Sequence, residues 1–425
     1  MPLSSEAGAG RPRQPGLSRV LLTVYLPFAS GYFLSYLYRS VNAVISGRLI
    51  DDLALSASDL GLLTAAYFLA FACFQLPLGV LLDRFGARRV QTVLLLVAAG
   101  GALVFSLGDD LAQLIAGRAL IGLGVAGCLM ASFKAISVWF DQDRWPLLNG
   151  CVLAMGGLGA TMATEPVELA MSLTDWRGLF AILSGLTVLV ALAIYFVVPE
   201  RPDQPAPGRL SDQLAGVRRI FASRVYWALV PMATASLATG LAVHTLWAGP
   251  WLRDVAGLDQ AEVARYLLVT AIALTVGFMA GGLLADRLRK LGIGLEKLLI
   301  ADILIFAAIQ AVLVFRLDVH AMWPWIAFGF FSNLGTVYVF PLLARSFPLA
   351  YAGRANTAVN LVMFFAVFGV QYAIGGILDL WQPDAEGRYP AEAHSVALGV
   401  FLALQIVGLV WYLIFRPRNM GEPAP

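Results

Sequence analysis

The chain reads as an all-α integral membrane protein: twelve transmembrane helices in two six-helix bundles, with both termini cytoplasmic. Three observations predict it. Hydrophobic residues make up 59% of the 425 and charged residues 13%, and the mean hydropathy is +0.77, a balance suited to lipid rather than water as solvent. About twelve apolar stretches lie between charged or Pro/Gly-rich breaks, and about twenty apolar residues suffice to cross the hydrocarbon core. One hydrophobic turn is also written twice. Gly79-x-x-x-Asp83-Arg84 and Gly282-x-x-x-Asp286-Arg287 each end an apolar run, and close to half of the chain separates them. Such a duplication marks two similar bundles joined in one polypeptide.

In chain order, residues 1–19 carry Arg11, Arg13 and Arg19 among Pro and Gly. The apolar run that follows is too long for a signal-peptide core and lacks a small-residue cleavage site, so this segment reads as a cytoplasmic tail. The first bundle covers 20–198, with apolar runs starting near Val20, Leu60, Val90, Leu111, Pro146 and Leu179. A polar linker occupies 199–224, where Arg218 and Arg219 suit a short interfacial helix. The second bundle covers 225–416, with runs near Tyr226, Val263, Leu298, Ala321, Thr357 and Val396, and 417–425 form a second tail.

Orientation follows from Lys and Arg, which are retained on the cytoplasmic side during insertion. Of the 29 Lys plus Arg, this arrangement places about 20 inside and about 6 outside, leaving Arg39, Arg118 and Lys134 within helices. The net charge of +2 therefore reports membrane topology and gives no ground for a nucleic-acid partner. Cys73, Cys128 and Cys151 lie within or at the edge of spans and imply no disulfide framework. The partners expected are the bilayer and a small-molecule substrate, for a monomer in a bacterial inner membrane.

The first copy of the turn continues as Phe85-Gly86-Ala87-Arg88-Arg89. Gly79 lets a neighbouring helix approach, Asp83 can accept from a helix N-terminus or pair with an arginine, and Gly86 permits a tight cytoplasmic turn. This run resembles the signature loop between the second and third helices of the major facilitator superfamily, with Ala87 where a basic residue is usual. The copy at Gly282, Asp286 and Arg287 sits where that family repeats the loop, without its second glycine. The resemblance extends over the whole chain and implies alternating access, with Gly79, Asp83, Arg84, Gly86, Arg88, Gly282, Asp286 and Arg287 as gating residues. Leu114-x-x-x-Arg118-x-x-x-Gly122-x-Gly124 resembles the fourth-helix motif of the same family. Tyr38-Arg39-x-x-Asn42 resembles a pattern of its anion-handling branches.

Depth along the helices gives a reading independent of that resemblance. At 1.5 Å per residue, Arg39 in the first helix lies about 9 Å outward of the midpoint, and Arg118 in the fourth about 10 Å. Glu165 in the fifth and His244 in the seventh fall about 9 Å out on the same side. A charged side chain in hydrocarbon costs at least about 2.5–3.5 kcal/mol, so each should face the bundle interior and find a partner. Two guanidiniums and one carboxylate leave a positive charge that a bound anion would balance. Arg39 is a binding cation or half of a salt bridge; Glu165 is a proton carrier or the counterion of Arg118. Tyr38, Asn42, His244, Asn333 and Asn360 are further ligand candidates, the amides because each needs a partner in an apolar helix. Glu168 should be solvated near the exit.

A secondary transporter of a small anionic metabolite, driven by protons, fits this pattern. A proton-coupled exporter of drugs or siderophore-like compounds is the alternative, distinguished by a need for unpaired carboxylates. No phosphate-binding loop is present, and His244, His320 and His394 have no metal-ligand spacing, so neither a cofactor, a metal nor an enzyme is expected.

Overall fold

The computed structural model describes residues 17–200, 210–347 and 349–416. The expected tails and the middle of the linker therefore lie largely outside the described residues. Described residues form helices joined by short turns, without a strand. Ten helices are long and apolar enough to cross a membrane, and eleven if the bent pair Leu147–Met162 and Glu165–Met171 is one span.

The 51-residue stretch Ala57–Leu107 is the exception in length. Straight, it would extend about 75 Å, more than twice a bilayer core. It is broken at Gly86, whose φ of 78° and ψ of 158° lie outside the helical region. A Cβ on Gly122 would run into the Tyr67 carbonyl oxygen, and one on Gly124 into the Ala98 amide. Tyr67 and Ala98 stand on opposite sides of Gly86, yet both touch one turn of the same helix. The stretch therefore doubles back at Gly86 as the second and third spans, which brings eleven to twelve.

Only glycine adopts that φ/ψ combination at low cost. Gly86→Ala is expected to lower stability by about 1–3 kcal/mol, read as a lower Tm of the purified protein.

The first span is Leu17–Ser40 continued by Asn42–Leu53; the fourth is Leu111–Trp139 and the sixth Trp176–Val197. After an amphipathic helix at Leu210–Phe221 come the seventh to twelfth: Arg224–Asp254, Gln260–Lys290, Leu295–Val314, Trp323–Leu343, Ala355–Leu378 and Ala391–Phe415. Turn residues start several of them. Ser56 and Asp59 form a capping box on the second span, as Asp259 and Glu262 do on the eighth.

The two halves meet mainly at the end of the bundle away from Gly86, here the distal end. Asp379 of the second half accepts from the Ala57 and Ser58 amides at 3.0 and 2.9 Å. Gln260 donates to Val44 O at 2.7 Å. Nearer the middle, Phe364 of the eleventh span lies against Phe68 and Phe71 of the second, centroids 6.1 and 4.4 Å apart. Trp251, for which sequence position suggests an interfacial anchor, is buried and packs edge-on against Trp325.

Candidate functional site

The first span is apolar around Arg39, and its side chain is 5% exposed. Aromatic rings take the place of a counterion. The guanidinium carbon lies 4.6 Å from the Tyr36 ring centroid, 5.2 Å from Phe71, 5.5 Å from Phe364 and 6.0 Å from Tyr67. Ring faces attract a cation electrostatically without neutralising it. Nε of Arg39 has no hydrogen-bond partner among the described residues. Because Phe364 belongs to the second half, this box is built across the interface between bundles.

Arg118 of the fourth span is fully buried. Its Nη1 donates to Tyr38 O at 2.9 Å, while Nε and Nη2 are unpartnered among the described residues. Its guanidinium lies 5.1 Å from the Tyr67 centroid, so Arg39 and Arg118 share one ring. The closeness of Gly122 to the Tyr67 backbone is what lets the fourth span bring Arg118 there. No carboxylate forms an ion pair with either arginine among the described residues.

Glu165, the expected partner of Arg118, is exposed rather than joined to the arginines. The fifth span bends by 42° just before it, so a count along a straight helix misplaces it. Glu168 is not solvated: Arg48 donates to both of its oxygens at 2.7 Å, and its side chain is 16% exposed.

The remaining candidates divide by whether their polar atoms are taken. Tyr38 is fully buried, with its hydroxyl 2.9 Å from Thr187 Oγ1 in the sixth span and its carbonyl oxygen accepting from Arg118. Asn42 donates to Thr64 Oγ1 at 2.9 Å, leaving Oδ1 unpartnered. His244 is buried in a π-helical turn, Val243–Trp247, with Nδ1 unpartnered among the described residues; such turns often mark functional sites. Asn333 follows the break after Ser332 in the tenth span and donates to Ser332 Oγ at 3.3 Å. Asn360 is half-buried one turn before Phe364, on the same helix face.

The duplicated turn forms a network inside the first half. Lys134 of the fourth span donates to Asp83 at 2.9 Å, so the partner is a lysine, neither an arginine nor a helix end. Arg88 donates to Tyr195 O at 2.9 Å through Nε, and Arg89 pairs with Glu200. Gly79 is half-buried, and Arg84 lies 5.2 Å over the neighbouring Phe85 ring. Arg84, Arg88, Arg89 and Glu200, together with Phe28, Lys134 and Trp139, border a crevice of about 310 Å³. In the second copy Gly282 is half-buried and Arg287 exposed, while the Asp286 side chain is outside the described residues.

Asp302 and Asp379 were not legible from the motifs, and of the aromatic box only Tyr36 and Phe364 stand out in the sequence, as aromatics suited to line a cavity. Asp302 had a signal, as a lone acid within an apolar run. Among the described residues no group of three or more His, Cys, Asp or Glu could hold a metal.

A family model described as the Major Facilitator Superfamily matches residues 28–371. A probable sulfoacetate transporter of Cupriavidus necator is 25% identical over 276 residues, 61% of this chain and 63% of that relative. The chain thus spans slightly under two thirds of that relative's length. The multidrug resistance protein MdtL of Salmonella schwarzengrund is 27% identical over 392 residues, 88% of this chain and 91% of the relative. Among solved structures, a D-xylose-proton symporter superposes with a TM-score of 0.76 over 95% of this chain and all of its own, at 16% identity. That is a likeness of fold.

Proposed function

The chain belongs to the Major Facilitator Superfamily, and on that premise we propose that it is a secondary active transporter of a small organic anion, coupled to protons. Its bundles at 20–198 and 225–416 rock about the central site, and the Gly86 end faces the cytoplasm because the basic residues concentrate there. One observation carries the reading: two buried guanidiniums share the Tyr67 ring, and neither has a carboxylate partner among the described residues.

Burying an unpaired charge is costly, and a bound anion with planar oxygens would complete both arginines. The box suits this role because aromatic walls exclude water while Arg39 Nε and Arg118 Nε and Nη2 have no partner among the described residues. A relative named for sulfoacetate, which carries two acidic groups, agrees in charge. The exporter reading draws on the multidrug relative, but a site for cationic drugs would need a carboxylate beside the arginines.

Sulfoacetate, other small sulfonates, carboxylates and uncharged analogues should be tested by thermal shift. A ligand at about 100 times its Kd stabilises by about 2.7 kcal/mol, so anions should raise Tm while uncharged analogues leave it unchanged. Stabilisation by lipophilic cations alone would overturn the anion reading. In liposomes, uptake indifferent to an imposed pH gradient would remove the proton coupling.

A further inference from the structure

Asp302 is the one charged residue of the ninth span beyond its first turn. It is 5% exposed, its Oδ1 has no partner among the described residues, and no cation pairs with it there. The other oxygen faces Gly335, where a Cβ would lie 3.1 Å from Oδ2. Gly335 restarts the tenth span after its break, which separates Trp323–Ser332 from Gly335–Arg345.

The duplication supplies a comparison within the molecule. In the first half the fourth span breaks at the same kind of place, between Leu111–Val125 and Cys128–Trp139. There the preceding span offers Gln91, whose Oε1 would lie 2.9 Å from a Cβ on Gly127 and whose Nε2 is 2.9 Å from Cys128 Sγ. A neutral amide therefore suffices to hold such a break. At the equivalent place in the second half stands a carboxylate, which adds the ability to take up and release charge.

We infer that Asp302 is a proton-binding site whose occupancy is linked to the bend of the tenth span. The inference rests on the transporter reading above. The step forms an Oδ1–H bond as one O–H bond of a hydronium ion breaks, leaving water. A carboxylate buried without a cation costs far more than the neutral acid, so the proton stays while the site is closed. When the tenth span moves and water reaches the carboxylate, the proton leaves. A metal cation is a poorer occupant, because hard cations need several oxygen ligands and Leu237 and Leu299 fill the surroundings.

The titratable neighbours are few. Tyr338 of the tenth span is close enough to interact with Asp302. Toward the Gly86 end, Glu296 is held by Tyr412 of the twelfth span and by Arg416 just past its end, beside Lys297 on the same helix. From the eighth span Arg287, Arg289 and Lys290 are exposed, and the seventh contributes apolar Leu237.

The test is infrared difference spectroscopy of the full-length purified protein in nanodiscs, titrated with protons alone. Wild type should show the stretch of a protonated buried carboxyl near neutral pH, shifted in D₂O, and Asp302→Asn should lack that one band. An identical band in the variant, or no such band in wild type, overturns the assignment. Should Asp302→Asn fail to fold, Asp302→Glu should move the band in frequency, and an unmoved band has the same consequence. Spin-label distances across the halves should respond to pH in wild type and not in Asp302→Asn; an equal response in both removes the conformational link. Anion-induced thermal shifts measured on the same samples separate the two proposals. A band without anion stabilisation keeps the proton site and sinks the anion reading, and the reverse result sinks only the proton site.

Discussion

Arg39→Ala is expected to abolish high-affinity binding of the anion that registers by thermal shift, lowering affinity by about 30-fold to several thousandfold. The estimate follows from truncating one member of a buried charged pair, about 2–5 kcal/mol. The guanidinium lies among rings and its Nε has no partner among the described residues, so that donor remains available to a ligand. The aromatic walls should survive its loss. For that reason the variant should keep its fold, checked by its unliganded Tm, while losing the ligand response. Arg39→Lys should restore little, since an ammonium lacks the planar two-pronged donor geometry of a guanidinium. Arg118→Ala should lose the ligand response and destabilise the apo protein too, because it also removes the bond to Tyr38 O. If Arg39→Ala left transport intact while Glu165→Gln abolished it, the exporter reading would replace the present one.

Much of the architecture was legible because its causes are local. Gly86 marks a reversal that only a left-handed residue permits, and the structure turns there. Arg39 and Arg118 were placed at one depth by counting residues along helices, and both lie on Tyr67. Depth is readable in this way only where a helix runs without a sharp bend. The fifth span bends by 42°, and there the count failed, separating Glu165 from Arg118. Rotation about a helix axis is harder still, since it is fixed by packing partners distant in sequence. Phe364 closes the box from the other half, and no spacing within the first half could announce it. Asp302 was accessible to the same argument that found the arginines, because a lone acid within an apolar run demands a reason.

The second large effect is expected at the distal end, where Asp379 acts as a helix cap supplied by the opposite half. Its carboxylate accepts from Ala57 N, Ser58 N and the Tyr389 hydroxyl, at 3.0, 2.9 and 2.6 Å. The amides belong to the first turn of the second span, whose N-terminal dipole favours a negative charge. Gln260 ties the eighth span to Val44 O and, at 3.5 Å, to the Arg48–Glu168 pair. Removing both ties with Asp379→Ala and Gln260→Ala costs the halves about 3 kcal/mol of contact, at about 1–2 kcal/mol for each exposed cap or hydrogen bond. That corresponds to roughly a hundredfold shift toward a distally open state. Spin labels at Ser172 and Glu386, exposed on the two halves, should report longer distances; an unchanged distribution would show that these contacts do not hold the gate.

The latch itself should be insensitive to pH near neutrality. Burial would raise the Asp379 carboxyl, but hydrogen bonds from Ser58, Tyr389 and the two amides outweigh it and hold it below the usual range. Its contribution is therefore complete above the ordinary carboxylate value and is lost only as pH falls through the depressed one. Burial and the bond to Asp379 push the Tyr389 hydroxyl up to about 12, so it remains a donor until the solution is strongly alkaline. Neither group titrates between about pH 5 and 8, the range in which proton gradients operate. A pH response of the distance between halves in that window would consequently have to come from elsewhere in the bundle. If it persists in Asp379→Ala and disappears in Asp302→Asn, the buried acid of the ninth span is its source.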